Sequence, residues 1–201
     1  MERSNWWGGI IVGLLLVGGV SWWFGTQINK PFYPIINSPR PIKGPAQAGL
    51  LLEEFSDFQC PACKAANSVV IEVEQTFGDR LQLSYRHFPL ISIHPQAFRA
   101  ALAAECANDQ GKFWEYHDKL FEKQPAFSSS DLIGYAGDLG LDKTKFAACL
   151  NSEAKTDVVR ADMREGDKRQ INATPTFFLN GQKISDWTKL KEIIQGKLLG
   201  S

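Results

Sequence analysis

Two cysteines separated by only two residues stand out in the stretch EEFSDFQCPACKAAN, residues 53–67. Cys60 and Cys63 follow an apolar run typical of a buried strand and open a segment with apolar residues at helical spacing. Unpaired N–H groups and the helix dipole at such a junction favour a thiolate, so we expect the pKa of Cys60 to fall below the value of about 8.5 for a free cysteine. Cys60 would then be the nucleophile of a thiol–disulfide exchange.

Cys63 lies near the same helical face and is close enough to form a disulfide with Cys60. We expect it to be shielded, so that it resolves a mixed disulfide instead of starting one. Pro61 between them suits the first position of a helix, because proline has no N–H to lose there. An inert structural disulfide is the alternative interpretation of the same pair.

A zinc site is disfavoured as a third interpretation. Structural zinc sites usually take two close pairs of ligands, whereas Cys106 and Cys149 are 43 positions apart. Neither has a second cysteine or a histidine two to four residues away. We therefore expect no metal and no other cofactor.

The charges give no reason to expect a nucleic-acid partner, because 22 basic residues balance 22 acidic ones. Residues 6–24 carry no charge at all, and a helix of that length spans roughly the ~30 Å hydrocarbon core of a bilayer. Tryptophan pairs flank this run as interfacial belts. We predict an uncleaved membrane anchor in residues 1–25, with a cleaved signal peptide as the alternative. Basic residues on both sides leave its orientation open.

Behind the anchor, residues 26–48 are rich in proline and show no periodicity, which predicts an extended tether to a folded domain that starts near Leu50. The folded domain then alternates between segments with a strand pattern and segments with a helix pattern. A strand in residues 49–55, a helix in 61–78 and a strand in 80–90 predict a βαβ unit.

Residues 94–169 are predicted to be helical, which splits the α/β domain into residues 49–93 and 170–201. The last part holds two strands joined at Asn180 and Gly181, a strong hairpin signal, and a final amphipathic helix.

This order of elements, with C-x-x-C opening the first helix, resembles the DsbA-like branch of the thioredoxin superfamily over roughly residues 48–199. FSDFQCPACK resembles the active site of that family, ATPTFFLNG resembles its cis-proline loop, and the helical block stands where the family has a helical domain. The resemblance implies a thioredoxin fold with an inserted all-helical domain. It also implies an extracytoplasmic thiol–disulfide oxidoreductase, with the catalytic domain on the periplasmic or outer side of the membrane.

The resemblance assigns further roles. Pro175 should be cis and Thr174 should face the substrate chain, although an ordinary trans proline is the alternative. Glu54 matches the buried acid of the family and would exchange a proton with Cys63. Strand alternation places Glu53 and Glu54 on opposite faces, so we expect only one of them to point inward; the other interpretation is a solvated pair.

The sequence departs from the family between its two close cysteines. The dipeptide Pro61 and Ala62 lacks the histidine that often stabilises the thiolate in the family, so we expect a reduction potential between roughly −120 and −270 mV. Elsewhere, Cys106 and Cys149 would form a structural disulfide between two helices of the insertion, as in some relatives, or stay as separate buried thiols.

These features predict an anchored enzyme that introduces disulfides into exported cysteine-containing proteins. A membrane redox partner would reset it: a quinone-linked reoxidase for an oxidase, or an electron donor for a reductase. A reductase, an isomerase, or a non-enzymatic module that holds client chains against Pro175 are the alternatives.

Overall fold

The computed structural model describes residues 40–200. The anchor predicted in residues 1–25 and most of the tether predicted in residues 26–48 lie outside the described residues. Within residues 40–200, no helix is both long enough and apolar enough to cross a membrane.

A five-stranded mixed sheet forms the centre of this part of the chain, in the order β1-β3-β2-β4-β5. The central strand β2 pairs in parallel with β3 and antiparallel with β4, and β1 and β5 are short antiparallel edges. A strand in this central position is covered on both faces, which suits the nearly unbroken apolar start of β2. The strands are β1 Ile42–Lys43, β2 Leu50–Ser56, β3 Leu81–His87, β4 Thr176–Leu179 and β5 Gln182–Lys183.

Helix α1, Pro61–Phe77, connects β2 to β3 and confirms the predicted βαβ unit. Pro61 occupies the first turn and Cys60 is the extended N-cap residue. Apolar residues at helical spacing bury one face of α1 against the sheet, and Gly78 follows its last turn with an N–H bonded to the Glu74 carbonyl.

Five helices follow β3 within the block predicted to be helical. Ser128 caps α4 through a reciprocal capping box with Asp131, and the Asp142 carboxylate caps α5. Leu120, Leu132 and Phe146 are fully buried in an apolar core that also contains Phe58 and Tyr85. The helices are α2 Ala97–Asn108, α3 Phe113–Lys123, α4 Ser129–Asp138, α5 Lys143–Asn151 and α6 Thr156–Lys168.

The chain then returns to the sheet. Asn180 and Gly181 join β4 to β5 with φ angles of 47° and 78°, the left-handed pair that a two-residue hairpin turn needs. A 3-10 turn, Trp187–Lys189, leads into α7, Leu190–Leu199, which packs beside α1.

The folded part begins earlier than predicted, because β1 lies inside the predicted tether. Ile42 pairs with Ser84 of β3, and Arg40 Nε forms an ion pair with Asp162 Oδ1 at 2.9 Å. A two-residue edge strand is too short to show a period, so the proline-rich composition hid it.

Helix α6 covers the sheet face opposite α1. Gly166 lies against the rings of Phe55 and Phe88, and a Cβ at this position would lie 2.5 Å from two ring carbons of Phe88. Helix α6 can therefore approach the sheet this closely only because glycine has no side chain. Three layers result, with helices on both faces of the sheet.

We expect Gly166→Ala to destabilise the protein by about 1–3 kcal/mol, because the added methyl group overpacks the contact with Phe88. Gly134→Ala is the matched control: Gly134 also lies inside a helix, and a Cβ added there would meet no described atom within 4 Å. This control variant should be more stable than wild type by up to about 1 kcal/mol, because alanine has a higher helix propensity than glycine. Equilibrium unfolding in urea measures both; equal stability of Gly166→Ala and wild type would contradict the packing argument.

Candidate active site

Three loops meet at one edge of the sheet. The parallel strands β2 and β3 end side by side at Ser56 and His87, and the antiparallel β4 begins there because Thr176 pairs with Phe55. The loop that carries Cys60, the loop after β3 and the loop before β4 therefore lie together, with the first of them in the middle.

Both cysteines of the C-x-x-C pair are free thiols at this edge. Cys60 is 7 % exposed, whereas Cys63 is fully buried. The Cys60 thiol lies 3.6 Å from the carbonyl oxygen of Thr174, and the Asp57 N–H donates to Cys63 Sγ at 3.5 Å. Cys60 is thus the sulfur that a substrate can reach.

The two thiols differ strongly in acidity. The pKa of Cys60 falls to about 5, chiefly because the Cys63 thiol donates a hydrogen bond to its sulfur. Backbone N–H groups of Cys63 and Ala62 add to this effect, while burial opposes it. The pKa of Cys63 rises far above its usual value because the side chain is buried and holds its proton toward Cys60. At neutral pH the pair is a thiolate beside a thiol.

The Thr174–Pro175 peptide bond is cis, as the family resemblance implied. Thr174 is largely buried, and Thr176 Oγ1 donates to the Ala173 carbonyl at 2.8 Å across the loop. The Thr174 carbonyl faces Cys60, and its hydroxyl has no hydrogen-bond partner within residues 40–200. The loop thus presents backbone and a side-chain polar group beside the reactive sulfur.

Asp57 fixes the loop in front of the cysteines, a role that the sequence did not suggest. Its buried carboxylate accepts hydrogen bonds from the Gln59 N–H at 2.7 Å and the Leu90 N–H at 2.8 Å. His94 Nδ1 lies 2.8 Å from the same carboxylate. Only its place between a strand and the C-x-x-C pair could have marked Asp57 as important.

A second contact missed in the sequence comes from the helical part. Gln124, directly after α3, donates from Nε2 to the carbonyls of Phe58 at 2.6 Å and Cys60 at 3.0 Å. Its peptide bond to Pro125 is also cis. The helices therefore touch the backbone of the reactive residue directly.

Glu54 is 1 % exposed on the α1 face of the sheet, which rules out a solvated position. Burial raises its pKa to about 7, and the nearby Ser56 hydroxyl lowers it in part. Glu53 is also buried, on the α6 face, where it pairs with Arg86 at 3.1 Å and Arg169 at 2.9 Å. The expectation that only one acid points inward was wrong, because helices cover both faces of β2.

Cys106 and Cys149 form a disulfide that joins α2 to α5, with Cα atoms 5.9 Å apart. The alternative of two separate thiols therefore does not describe this structure. In the described part of the chain, no cluster of three or more histidine, cysteine or acidic side chains could hold a metal ion.

Comparisons with known proteins fit this geometry. A family model described as Thioredoxin matches residues 37–196. Oxidised BdbD from Bacillus subtilis shares 29 % identity, with a TM-score of 0.71 over 79 % of this chain and 92 % of BdbD. DsbA from Chlamydia trachomatis has the same TM-score at 17 % identity, over 83 % of this chain and 96 % of that one, which shows a common fold.

Curated relatives of another kind also match. The Na(+)/H(+) antiporter NhaA 1 of Mycolicibacterium vanbaalenii is 41 % identical over 159 residues, which are 78 % of this chain and 25 % of that protein. NhaA 1 of Salinispora arenicola is 39 % identical over 71 % of this chain and 22 % of its own length. The chain therefore spans about a quarter of the length of the curated relatives that it matches.

The acidity of Cys60 can be measured by alkylation of the reduced protein with iodoacetamide. We expect a midpoint near pH 5 for Cys60, because only the thiolate reacts. Cys63→Ala removes the main hydrogen-bond donor and should raise the midpoint, whereas Cys63→Ser keeps a donor and should raise it less. A wild-type midpoint at pH 8 or above would contradict the assigned hydrogen bond.

Glu54 should make stability depend on pH. Its pKa is about 7 in the folded protein and near 4.5 in the unfolded chain, so the folded state binds the proton more tightly. The free energy of unfolding therefore falls by up to roughly 3 kcal/mol as the pH rises from 4.5 through 7. Glu54→Gln should remove this loss and be more stable than wild type at pH 8.

Glu53→Gln is the control for that experiment. It leaves Arg86 and Arg169 without their carboxylate, so it should destabilise the protein at pH 8. Urea unfolding of the reduced variants at pH 5 and pH 8 gives both results. A stability difference between Glu54→Gln and wild type that does not grow with pH would show that Glu54 is ionised normally.

Proposed function

Since the chain belongs to the thioredoxin family, in its DsbA-like branch of thiol–disulfide oxidoreductases, we propose that it introduces disulfides into exported proteins through Cys60 and Cys63. The observation that carries this proposal is the difference between the two thiols. Cys60 keeps 7 % of its surface exposed and has a pKa of about 5, whereas Cys63 is fully buried and its pKa is raised. The Cys60 sulfur is thus suited to exchange with a client, and the Cys63 sulfur is suited to re-form the Cys60–Cys63 disulfide.

The exchange begins from the Cys60–Cys63 disulfide. A client thiolate attacks Cys60 Sγ, forms a mixed disulfide and expels the Cys63 thiolate, which takes up a proton. A second client thiolate attacks the client sulfur of the mixed disulfide and releases the Cys60 thiolate. Two electrons have passed from the client dithiol to the protein. Cys60 is a good leaving group because its thiolate is stabilised where it stands.

The cis-proline loop is the proposed binding site for the client chain. The Thr174 carbonyl and hydroxyl lie beside Cys60, at the edge where β4 begins. An extended client segment next to Pro175 would place its cysteine at the reactive sulfur and pair its backbone with the loop.

Glu54 is the proposed proton partner of Cys63. A pKa of about 7 lets this carboxyl group exist in both forms at neutral pH. As an acid it returns a proton to the expelled Cys63 thiolate, and as a base it removes that proton again when the disulfide re-forms.

The direction of electron flow follows from the stability of the reduced form. The depressed pKa of Cys60 favours the thiolate above about pH 5, and the disulfide has no such stabilisation. At pH 7 the ionised Cys60 stabilises the reduced form relative to the disulfide form, and this stabilisation is lost as the pH falls through 5. This favours disulfide donation over the reductase and isomerase alternatives.

The uncharged residues 6–24 support a single-pass membrane anchor. The extracytoplasmic side of the membrane is proposed for the catalytic domain on the resemblance to the DsbA-like branch. A membrane redox partner, quinone-linked for an oxidase, would restore the Cys60–Cys63 disulfide after each turnover. The antiporter relatives share only about a quarter of their length with the chain, so we propose no ion transport.

The reduction potential of the Cys60–Cys63 pair tests the direction. In equilibrium with glutathione buffers at pH 7, we expect a value above about −180 mV, which marks a disulfide donor. A value near −270 mV, that of a thioredoxin-like reductant, would overturn the oxidase proposal.

Cys60→Ser and Cys63→Ser separate the enzyme from a non-enzymatic binding module. Cys60→Ser should abolish oxidation of a reduced cysteine-containing substrate. With the disulfide form of that substrate, the Cys60 thiolate of Cys63→Ser should attack one substrate sulfur and expel the other, and the mixed disulfide on Cys60 should persist because no Cys63 thiol resolves it. Binding of substrate that survives Cys60→Ser, with no mixed disulfide in Cys63→Ser, would favour the module.

A further inference from the structure

We propose that the hydroxyl group of Ser56 relays the proton between Cys63 and Glu54 during disulfide exchange. The proposal rests on the exchange function proposed above and names a residue to which that function assigned no role.

The geometry of the sheet places Ser56 between the two groups. Glu54 and Ser56 are two residues apart on β2, so both side chains point to the face that α1 covers. Cys63 lies on the buried face of α1 and accepts a hydrogen bond from the N–H of Asp57, the residue after Ser56. The serine therefore stands at the end of the strand where the helix brings Cys63 down onto the sheet.

All members of this cluster are shielded from solvent. Glu54, Ser56 and Cys63 are each at most 1 % exposed, so direct proton exchange between Cys63 and bulk water is slow at neutral pH. Three polar atoms in the cluster have no hydrogen-bond partner within 3.5 Å among the described residues: Glu54 Oε1, Ser56 Oγ and Tyr85 Oη. Unpaired buried polar atoms are uncommon and call for a functional explanation. Here they lie on the sheet face that α1 and Cys63 cover.

Ser56 acts on each of its polar neighbours. Its hydroxyl lowers the pKa of Glu54, of Cys63 and of Tyr85, which agrees with its place on the same sheet face as Glu54 and Tyr85 and beside Cys63. A hydroxyl is both donor and acceptor, which a relay requires. Tyr85, the cross-strand partner of Glu54, stays an uncharged phenol, because burial raises its pKa well above the ordinary value.

Three other titratable groups surround the cluster. The Asp57 carboxylate is turned to the loop, where it binds Gln59, Leu90 and His94. Burial lowers the pKa of His117, which keeps it neutral. His87, the cross-strand partner of Ser56, bonds to Glu105 through Nε2, and its Nδ1 has no hydrogen-bond partner among the described residues.

The step balances without any other reactant. When a mixed disulfide on Cys60 is resolved, Ser56 Oγ takes the proton of the Cys63 thiol and gives its own proton to the Glu54 carboxylate. The Cys63 thiolate then attacks Cys60 Sγ, the Cys60–Cys63 disulfide forms, and the bound thiol leaves as a thiolate. In the reverse direction the proton travels from Glu54 to Cys63 by the same path.

The test is rapid oxidation of the reduced, full-length protein by oxidised glutathione, followed by acid quenching and mass spectrometry. Attack of Cys60 on glutathione disulfide gives the glutathionylated protein, and attack of Cys63 then releases glutathione. At high concentrations of oxidised glutathione the second step is observed alone. We expect its rate in the wild type to rise with pH around a midpoint near 7, as Glu54 ionises.

In Ser56→Ala the second step should be slower by between about 10- and 100-fold at pH 7. The defect should shrink toward pH 9 as hydroxide removes the proton, and the first step should stay within about twofold of wild type. Ser56→Thr, which keeps the hydroxyl, should regain most of the rate. Ser84→Ala is the matched control, a buried serine of β3 on the opposite face of the sheet, and should behave as wild type.

A Ser56→Ala variant with the wild-type rate at pH 7, or one slowed by the same factor at every pH, would overturn the relay. If Glu54→Gln is slow and Ser56→Ala is not, the proton passes directly between Cys63 and Glu54, and the exchange function stands without the relay. If the wild type forms no glutathionylated Cys60 at all, the exchange function itself fails.

Discussion

The central strand β2 is the constraint on which the rest of the structure depends. It is hydrogen-bonded on both sides and covered by helices on both faces, yet it carries two adjacent carboxyl groups. Burial of a charge is costly unless the charge is paired or removed, and the protein uses both solutions. Glu53 is paired with two arginines beneath α6. Glu54, facing α1, has no cationic partner within residues 40–200 and takes up a proton near neutral pH. The same strand thus holds a structural ion pair on one face and a proton-exchanging acid on the other.

The chemistry at the end of β2 arises from a similar division between neighbours. Two thiols with the same intrinsic acidity are placed within one turn of helix, one at the N-cap and one on the buried face. The buried thiol keeps its proton and points it at the other sulfur. The hydrogen bond therefore lowers the pKa of Cys60 and raises the pKa of Cys63. The asymmetry is a property of the pair and not of the helix terminus alone.

Much of the fold could be predicted because its signals are local. The βαβ unit, the helical block and the Asn180-Gly181 turn each follow from a period or a short pattern. What escaped prediction depends on distant contacts. The pairing of β1, the carboxylate of Asp57 that binds the loop after β3, and the amide of Gln124 that reaches the Cys60 carbonyl join residues that are far apart in the chain. The direction of Glu53 was missed for the same reason, since alternation cannot tell that both faces are covered.

The Gln124 amide links the helices to the redox centre mechanically. Because it holds the carbonyls of Phe58 and Cys60, a shift of α3 against the sheet is transmitted to the backbone that carries the nucleophile. The helical segment is therefore part of the reactive site and cannot be treated as an independent lid. Exchanging this segment between relatives would alter the chemistry of the sulfur as well as the surface offered to partners, so specificity and reactivity have to evolve together.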